Sequence, residues 1–506
     1  MKNLKKIALI IISLVTLLAG YISYQGLRYI KSDYLILSFF EESLIPNIKH
    51  AVSGNKKIMK EIDIPELEIN IPKYSDSILQ KTIKKGLELE SMFGQEKPYV
   101  PVDFQYKREK YKAKMKIRGD HIRNYQYGLS ESSLTIKTKK PSAEGNTKFS
   151  IVKPAQELFF YGLLYYQTFD REGFLSNNTI PIKVKINGKS QGIYFLQQGF
   201  DLNYPKVNGF KESLILKFEK DCMCTEQNHY DLHPRLVCYQ EKTVLKNEKH
   251  SKSFEYVTKK YADILANNAK VEKLFDIKIW ARYVALTDIF YAHHSMECHN
   301  VRMYFNPKTQ KIEPIAWDPF LVRVAEYDLT RDQYLFSEFM RENYPIYKLL
   351  KKNKTFIDNY IQYLYDYSTN LDLSNFFYAD DEILRNIEAE LLFGKTFTSF
   401  NPYKIKDIQK SIEVNFKQGD LVDGNYYPNN QVLRLTSRSD IPIEIDEIIV
   451  NGKKVRNPFK DELILPRRIY EVKINTREKV KKLEVSSHIR TFDDQVKTNE
   501  IRVFKH

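Results

Sequence analysis

Cysteine is scarce in this chain. Four in 506 residues (Cys222, Cys224, Cys238 and Cys298) are too few for a disulfide framework. Glycine and proline number only 18 and 19, which excludes collagen-like, linker-like and other low-complexity architectures. Tryptophan occurs twice, against 35 tyrosines and 30 phenylalanines, so the aromatic packing rests on Tyr and Phe. No G-x-G-x-x-G and no G-x-x-x-x-G-K-[ST] occurs, and with them goes the ordinary glycine-rich phosphate cradle. No G-x-S-x-G, H-E-x-x-H or paired-carboxylate arrangement argues for a hydrolase. No nucleic-acid module signature is present either, and aromatics are not interleaved on the cationic stretches, so nucleic acid is not an expected partner. No internal repeat is found.

What is present is a globular composition, 42% hydrophobic and 28% charged, long enough for two or three domains. The net charge of +15 permits association with polyanions without specifying a fold. At the N-terminus, residues 7–22 read IALIIISLVTLLAGYI behind Lys2, Lys5 and Lys6. This is a positive region followed by an apolar run. It reads as an uncleaved signal anchor, or as a signal peptide with a poor cleavage site. Either way the bulk is expected outside the cytoplasm, anchored by a single helix, or secreted if the segment is cut. No other run reaches membrane length.

Residues 31–60 and 74–93 look helical. A strand-rich block follows from about 104 to 220, then a helix-rich block from about 253 to 400. After Pro402 short alternating strands return, with an Asn451-Gly452 hairpin signal, and suggest a small β-sandwich. Within the strand-rich block, KYKAKMKIR (110–118), LTIKTK (134–139) and IPIKVKI (180–186) alternate with period two. Each presents one apolar face and one lined by lysine. The cationic face is either a solvated outer wall or a contact for a phosphate-bearing ligand.

The most informative stretch is 276–320. Asp276 is a plausible N-cap for an apolar helix beginning IKIWARYVALTDIF. A polar loop, HHSMECHN (293–300), follows, then a hairpin (VRMYF, IEPIAW), then Asp318. Helix, loop ending in Asn, hairpin, Asp is the order of a protein-kinase catalytic centre, where that Asn and Asp hold Mg²⁺ against nucleotide phosphates. Two further clusters carry metal-ligand chemistry. Cys222, Cys224, His229, His233 and Cys238 allow a disulfide from Cys238 to Cys222 or Cys224, unpaired thiols, or zinc, with the disulfide preferred. His293, His294, His299 and Cys298 are either loop-packing residues or metal ligands.

On these motifs the sequence resembles the CotH kinase family, the spore coat protein H-like atypical kinases, over about residues 100–330. The matching elements are Arg118-Gly119-Asp120, SSLTIKTKK (132–140), INGKSQGIY (186–194) with Asp201 after it, and HNVRMYFNPKTQKIEPIAWD (299–318). The resemblance implies an α+β, protein-kinase-like two-lobed domain with a strand-rich N-lobe and a helical C-lobe. It implies ATP with Mg²⁺ or Mn²⁺, and phosphoryl transfer to a protein or envelope polymer. Carried over residue by residue, Asn300 and Asp318 become the metal ligands. Lys137, Lys183 and Arg118 become nucleotide contacts. Gln198 stands where many members have an acidic residue. The loop lacks the Asp of active members, so the catalytic acid–base role falls to His294 or Glu297, in what looks like a histidine-loop subgroup. The alternative is a non-catalytic envelope scaffold that binds a polyanion or a protein. The expected organisation is an anchor (1–30), a helical juxtamembrane region (31–100), a kinase-like domain (101–403) and the β-sandwich (404–506).

Overall fold

Apolar and polar residues alternate through the first half of the described chain, and the backbone follows that period. The computed structural model describes residues 64–154, 160–219, 234–319, 345–372 and 403–504, apart from positions 461, 467 and 477. Seven strands close into a barrel in the order β1-β2-β3-β4-β5-β8-β7. They are β1 (Glu66–Asn70), β2 (Val100–Tyr106), β3 (Glu109–Ile117), β4 (Leu134–Thr138), β5 (Lys148–Val152), β7 (Thr179–Ile186) and β8 (Lys189–Gln198). Successive side chains face opposite ways in a strand. Leu67, Phe104, Met115, Ile136, Phe149 and Val184 therefore fill the barrel core. The lysines between them stand on its outer wall. Phe104 and Phe149 meet edge to face at 5.7 Å, and burying a side chain of this size contributes about 1.5–3 kcal/mol. At the β7–β8 turn, Asn187 and Gly188 take φ of 49° and 75°, as a two-residue hairpin requires. Asn187 Oδ1 accepts the Ile71 N–H at 2.7 Å and ties this turn to the end of β1.

Barrel closure corrects the expected strand-rich N-lobe. β1 pairs antiparallel with β2 and parallel with β7. Parallel partners are remote in sequence, so no hairpin signal announces them. The expected helical lobe is corrected too. It carries a five-stranded sheet, β10-β9-β11-β12-β6. Its strands are β6 (Leu175–Ser176), β9 (Ile215–Phe218), β10 (Leu236–Cys238), β11 (Arg302–Asn306) and β12 (Lys311–Ala316). The helices include α1 (Lys73–Glu88), α2 (Phe160–Arg171), α3 (Glu248–Leu265), α4 (Ile277–Ile289), α5 (Lys354–Asn370) and α6 (Tyr403–Phe416). α5 packs on α4 and on α6. Helices α2 to α6 and the inner face of the five-stranded sheet (Leu216, Phe218, Met303, Phe305) share one core, whereas Leu79 and Ile83 of α1 belong to the barrel core. The result is a mixed α/β structure of barrel, sheet and helices, not a two-lobed kinase fold.

The expected β-sandwich is instead one hydrogen-bonded sheet of eight strands among the described residues. Its last strand, Lys497–Val503, pairs antiparallel with Leu483–Ile489 and parallel with Val422–Tyr427. That joins what would otherwise be two layers. The Asn451-Gly452 turn forms as expected, with φ of 49° and 80°.

The membrane assignment is also corrected. No helix among the described residues is long and apolar enough to cross a membrane. The run at 7–22 lies outside the described residues, as does the stretch 31–60. Attachment through an N-terminal anchor, and the extracytoplasmic placement inferred from it, gain no support from the described residues. The preferred cysteine pairing changes as well. Cys238 ends β10 as a free buried thiol, its pKa pushed up to about 12 by burial and then by Glu241. The disulfide lies at Cys298 instead. Cys222, Cys224, His229 and His233 lie outside the described residues.

Candidate functional site

The site begins at the end of α4. Asp276 Oδ1 accepts the Ile279 N–H at 3.2 Å and caps the helix start. The helix stops where Tyr291 takes φ 51°. Its N–H donates to the Asp288 carbonyl, and the next, that of Ala292, donates to Thr287, each at 2.9 Å. This is a Schellman stop with tyrosine where glycine is usual. The Tyr291 ring packs edge-on against His293 at 5.2 Å. His293 then opens a single 3-10 turn, His293–Met296. His293 Nε2 meets Asp288 Oδ1 at 2.7 Å, and the Tyr360 hydroxyl of α5 donates to Asp288 Oδ2. The loop is thereby pinned to the core at its first residue.

The rest of the loop closes on itself. Asn300 N–H donates to the Glu297 carbonyl at 2.8 Å, and Asn300 Nδ2 donates to the His294 carbonyl at 3.1 Å. The second bond uses one of the two amide hydrogens, and Oδ1 is the acceptor atom of the side chain. His294 Nδ1 lies 3.2 Å from Glu297 Oε1, and His299 Nε2 lies 3.5 Å from Glu297 Oε2. His294 Nε2 faces Asp318 Oδ2 at 3.9 Å. Asn300 and Asp318 therefore meet the same residue, one at its backbone and the other at its ring. Burial lowers the His299 pKa, with Glu297 pulling the other way. Arg302 holds the loop's exit, donating to the His299 carbonyl at 2.9 Å and to the Tyr239 hydroxyl at 2.6 Å. Asp318 sits at φ 48°, with its N–H donated to the Tyr166 hydroxyl of α2 at 3.2 Å.

The barrel wall supplies the cations. Arg118, just past β3, donates to Gln197 Oε1 at 2.5 Å. Its guanidinium stands over the Trp317 ring at 5.8 Å, next in sequence to Asp318. On β5, Lys148 is half-buried. Burial lowers its pKa, and Lys116, Lys137 and Lys217 lower it further, while Asp201 opposes them. Asp201 is itself fixed, accepting from the Thr147 hydroxyl at 2.8 Å and from the Asn203 N–H at 2.9 Å. A Cβ at Gly199 would come within 2.8 Å of Lys148 Cγ; the glycine gives the lysine stem its room. Gln197 is wholly buried, and its Nε2 has no partner among the described residues.

Of the expected site residues, His294, Glu297, Asn300 and Asp318 come together, and Arg118 joins them through Trp317. Lys137 is exposed on β4, directly across from Lys148. Lys183 lies on β7 in register with Glu66, with β5 and β8 between it and β4; it is not brought to this wall. Gln198, at the position often acidic, accepts from Asn208 Nδ2 at 2.8 Å. The residues missed are Lys148 and Lys217, and His299 as a partner of Glu297. KFSIV does alternate, but over five residues the period is weak. A pocket against α1, lined by Lys81, Lys85, Gly86, Met92 and Lys97 among others, contains none of these groups.

The Arg118-Gly119-Asp120 corner gives a direct test of the local backbone. Gly119 has φ 76°, and a Cβ there would lie 2.3 Å from the Asn124 side-chain nitrogen. Gly119→Ala is expected to lower stability by about 1–3 kcal/mol, read as a lower urea midpoint at unchanged slope.

A cationic barrel wall thus stands beside an edge of amide, imidazole and carboxylate groups, the kinds of group that contact phosphate and divalent cations. Residues 115–414 match the family described as CotH kinase protein, and the chain belongs to that family. Membership gives it a phosphotransfer-associated role in general terms. The chain is also similar to the uncharacterized protein MG223 of Mycoplasma genitalium, 23% identical over 231 residues, covering 38% of this chain and 55% of that protein. The match thus spans just over half the length of that relative.

Proposed function

We propose that this chain binds a nucleoside triphosphate with Mg²⁺ or Mn²⁺ and transfers its γ-phosphoryl group to a hydroxyl of a protein or envelope polymer. The observation that carries this reading is the stacking of Arg118 over Trp317. It sets the lysine-lined wall beside the Asn300–His294–Asp318 edge. Asn300 Oδ1 and Asp318 are hard oxygen donors suited to a Mg²⁺-like ion. Arg118, Lys148 and Lys137 offer charge to the phosphates, and the buried Gln197 amide offers a further donor. Lys183 contributes least. In the step itself, the acceptor oxygen forms a bond to γ-phosphorus and the bond to the β–γ bridging oxygen breaks. The acceptor proton passes to Glu297 or His294, and nucleoside diphosphate leaves. Phosphoryl transfer depends mainly on positioning and charge stabilisation, so the loop Asp is not the only route to activity. We place the chain in a histidine-loop subgroup on the sequence 293–300.

A second reading, binding without turnover, is favoured by one contact set. Glu297 is engaged by two imidazoles, at 3.2 and 3.5 Å, which weakens it as a base. Two measurements separate the readings. A saturating nucleotide–Mn²⁺ complex at a hundred times its Kd should stabilise the chain by about 2.7 kcal/mol, seen as a raised Tm. Lys148→Met should cut that shift by more than half, and Lys183→Met should leave it intact. Absence of any shift at millimolar nucleotide defeats both readings as nucleotide binders. A shift without transfer of labelled γ-phosphate leaves only the second.

A further inference from the structure

We infer that His294, Glu297 and His299 form a binding site for a transition-metal dication of the Zn²⁺ type, separate from the oxygen ligands Asn300 and Asp318. One donor atom from each of the three residues lies within 4.8 Å of the others. The Glu297 carboxylate spans the two imidazoles, with His294 Nδ1 3.2 Å from Oε1 and His299 Nε2 3.5 Å from Oε2, each separation close to the length of a tetrahedral edge. That edge is about 3.4 Å for bonds of about 2.1 Å.

The donor chemistry selects the ion. Two imidazoles and one carboxylate suit Zn²⁺, Mn²⁺ or Fe²⁺, whereas Mg²⁺ takes oxygen. Three protein ligands leave a fourth position for water, the pattern of a reactive rather than a closed structural zinc site. The side chains are 22%, 37% and 33% exposed, so solvent reaches that position.

The surroundings are those of a built site. Once Nδ1 of His294 takes the metal, Nε2 points at Asp318 Oδ2, 3.9 Å away. A ligating imidazole needs such a carboxylate partner to fix its ring. The backbone is held on both sides, by Asn300 Nδ2 on the His294 carbonyl and by Arg302 on the His299 carbonyl. The two histidine rings meet edge to face at 76° with centroids 5.6 Å apart, which holds both imidazoles on the same side of the loop as Glu297. A loaded site would put a metal-bound water, rather than a bare carboxylate, at the loop position where active relatives carry an acid–base group. The inference does not depend on nucleotide binding.

The test uses the full chain stripped with chelator and titrated with Co²⁺ as the visible probe, then with Zn²⁺ as competitor. One equivalent of Co²⁺ should give the intense d–d bands of a four- or five-coordinate ion, and Zn²⁺ should bleach them. His299→Ala and Glu297→Gln should each weaken binding about 100-fold or more. Asp318→Asn, acting through the His294 ring, should weaken it about 10-fold. His229→Ala with His233→Ala serves as the control for the other cysteine- and histidine-bearing segment and should change nothing. Absent bands overturn the site, and so do bands that survive His299→Ala and Glu297→Gln in folded protein or vanish in the control. Nucleotide thermal shifts in Mg²⁺ alone are read in parallel, so that a failure of nucleotide binding is recorded separately from a failure of this site.

Discussion

The Asp318→Asn variant is expected to fold as the parent does, to lose about 10³-fold in phosphoryl transfer, and to lose the nucleotide–Mn²⁺ thermal shift. The choice of substitution follows from the backbone. Asp318 sits at φ 48°, a left-handed conformation in which asparagine is well tolerated and alanine is not. Its N–H bond to the Tyr166 hydroxyl involves only main chain on the Asp318 side and survives the change. What goes is the negative charge that the proposed site offers to a divalent ion carrying phosphate. Removing a single preorganised electrostatic group of this kind typically costs 10²–10³-fold in rate. Radiolabel transfer to a generic acceptor or to the chain itself reads the rate, and calorimetry reads the fold. A variant that retains transfer within threefold, with an unchanged melting profile, would remove Asp318 from the metal and leave the phosphotransfer reading without its carboxylate. Asp318→Ala is the informative companion. It should lose transfer equally but also lose about 1–2 kcal/mol of stability from strain at a left-handed non-glycine position. The pair therefore separates charge from conformation.

The parts of this molecule legible in the sequence are those governed by local rules. β3, β4 and β7 follow from period-two alternation. The turns at Asn187-Gly188 and Asn451-Gly452 follow from their tolerance of positive φ, and the start of α4 from the Asp276 cap. The β11–β12 hairpin between Asn300 and Asp318 was equally plain. The parts that were not legible depend on distant partners. The parallel pairing of β1 with β7 closes the barrel across more than a hundred residues, and nothing in ELEIN distinguishes a closing strand from an isolated one. β6 is two residues long, too short for any periodicity. Lys148 stood in a five-residue strand, and its importance lies in what surrounds it: three other lysines and Asp201 brought from four separate segments. The two-lobed expectation failed for the same reason. Family motifs report the order of elements, whereas closure of a sheet is decided by which edges find each other.

The other large effect concerns stability, and it arises from a group no motif singles out. Asp288 is wholly buried in α4. One carboxylate oxygen meets His293 Nε2 at 2.7 Å, and the other accepts the Tyr360 hydroxyl from α5. Both partners are themselves buried. Asp288→Ala removes the carboxyl group from between an imidazole and a phenol and takes one buried hydrogen-bond partner from each. Breaking one side of a buried pair costs about 3–5 kcal/mol, well above the loss from a simple hydrogen bond. Tyr360→Phe removes one donor and should cost about 1–2 kcal/mol. In the double variant the penalties should fall short of their sum by about 1 kcal/mol or more, because the two side chains share one network. Denaturant unfolding of the four proteins measures this, and values within 0.5 kcal/mol of the parent for Asp288→Ala would refute the network. The effect should also reach the site. His293 immediately precedes His294, so releasing it from Asp288 frees the turn that aims the His294 ring at Glu297 and Asp318. Cobalt affinity should therefore fall in Asp288→Asn, which keeps the side-chain volume and much of the fold but weakens the hold on His293. A structural role confined to the core would leave that affinity unchanged, and the coupling between core and loop would then be lost.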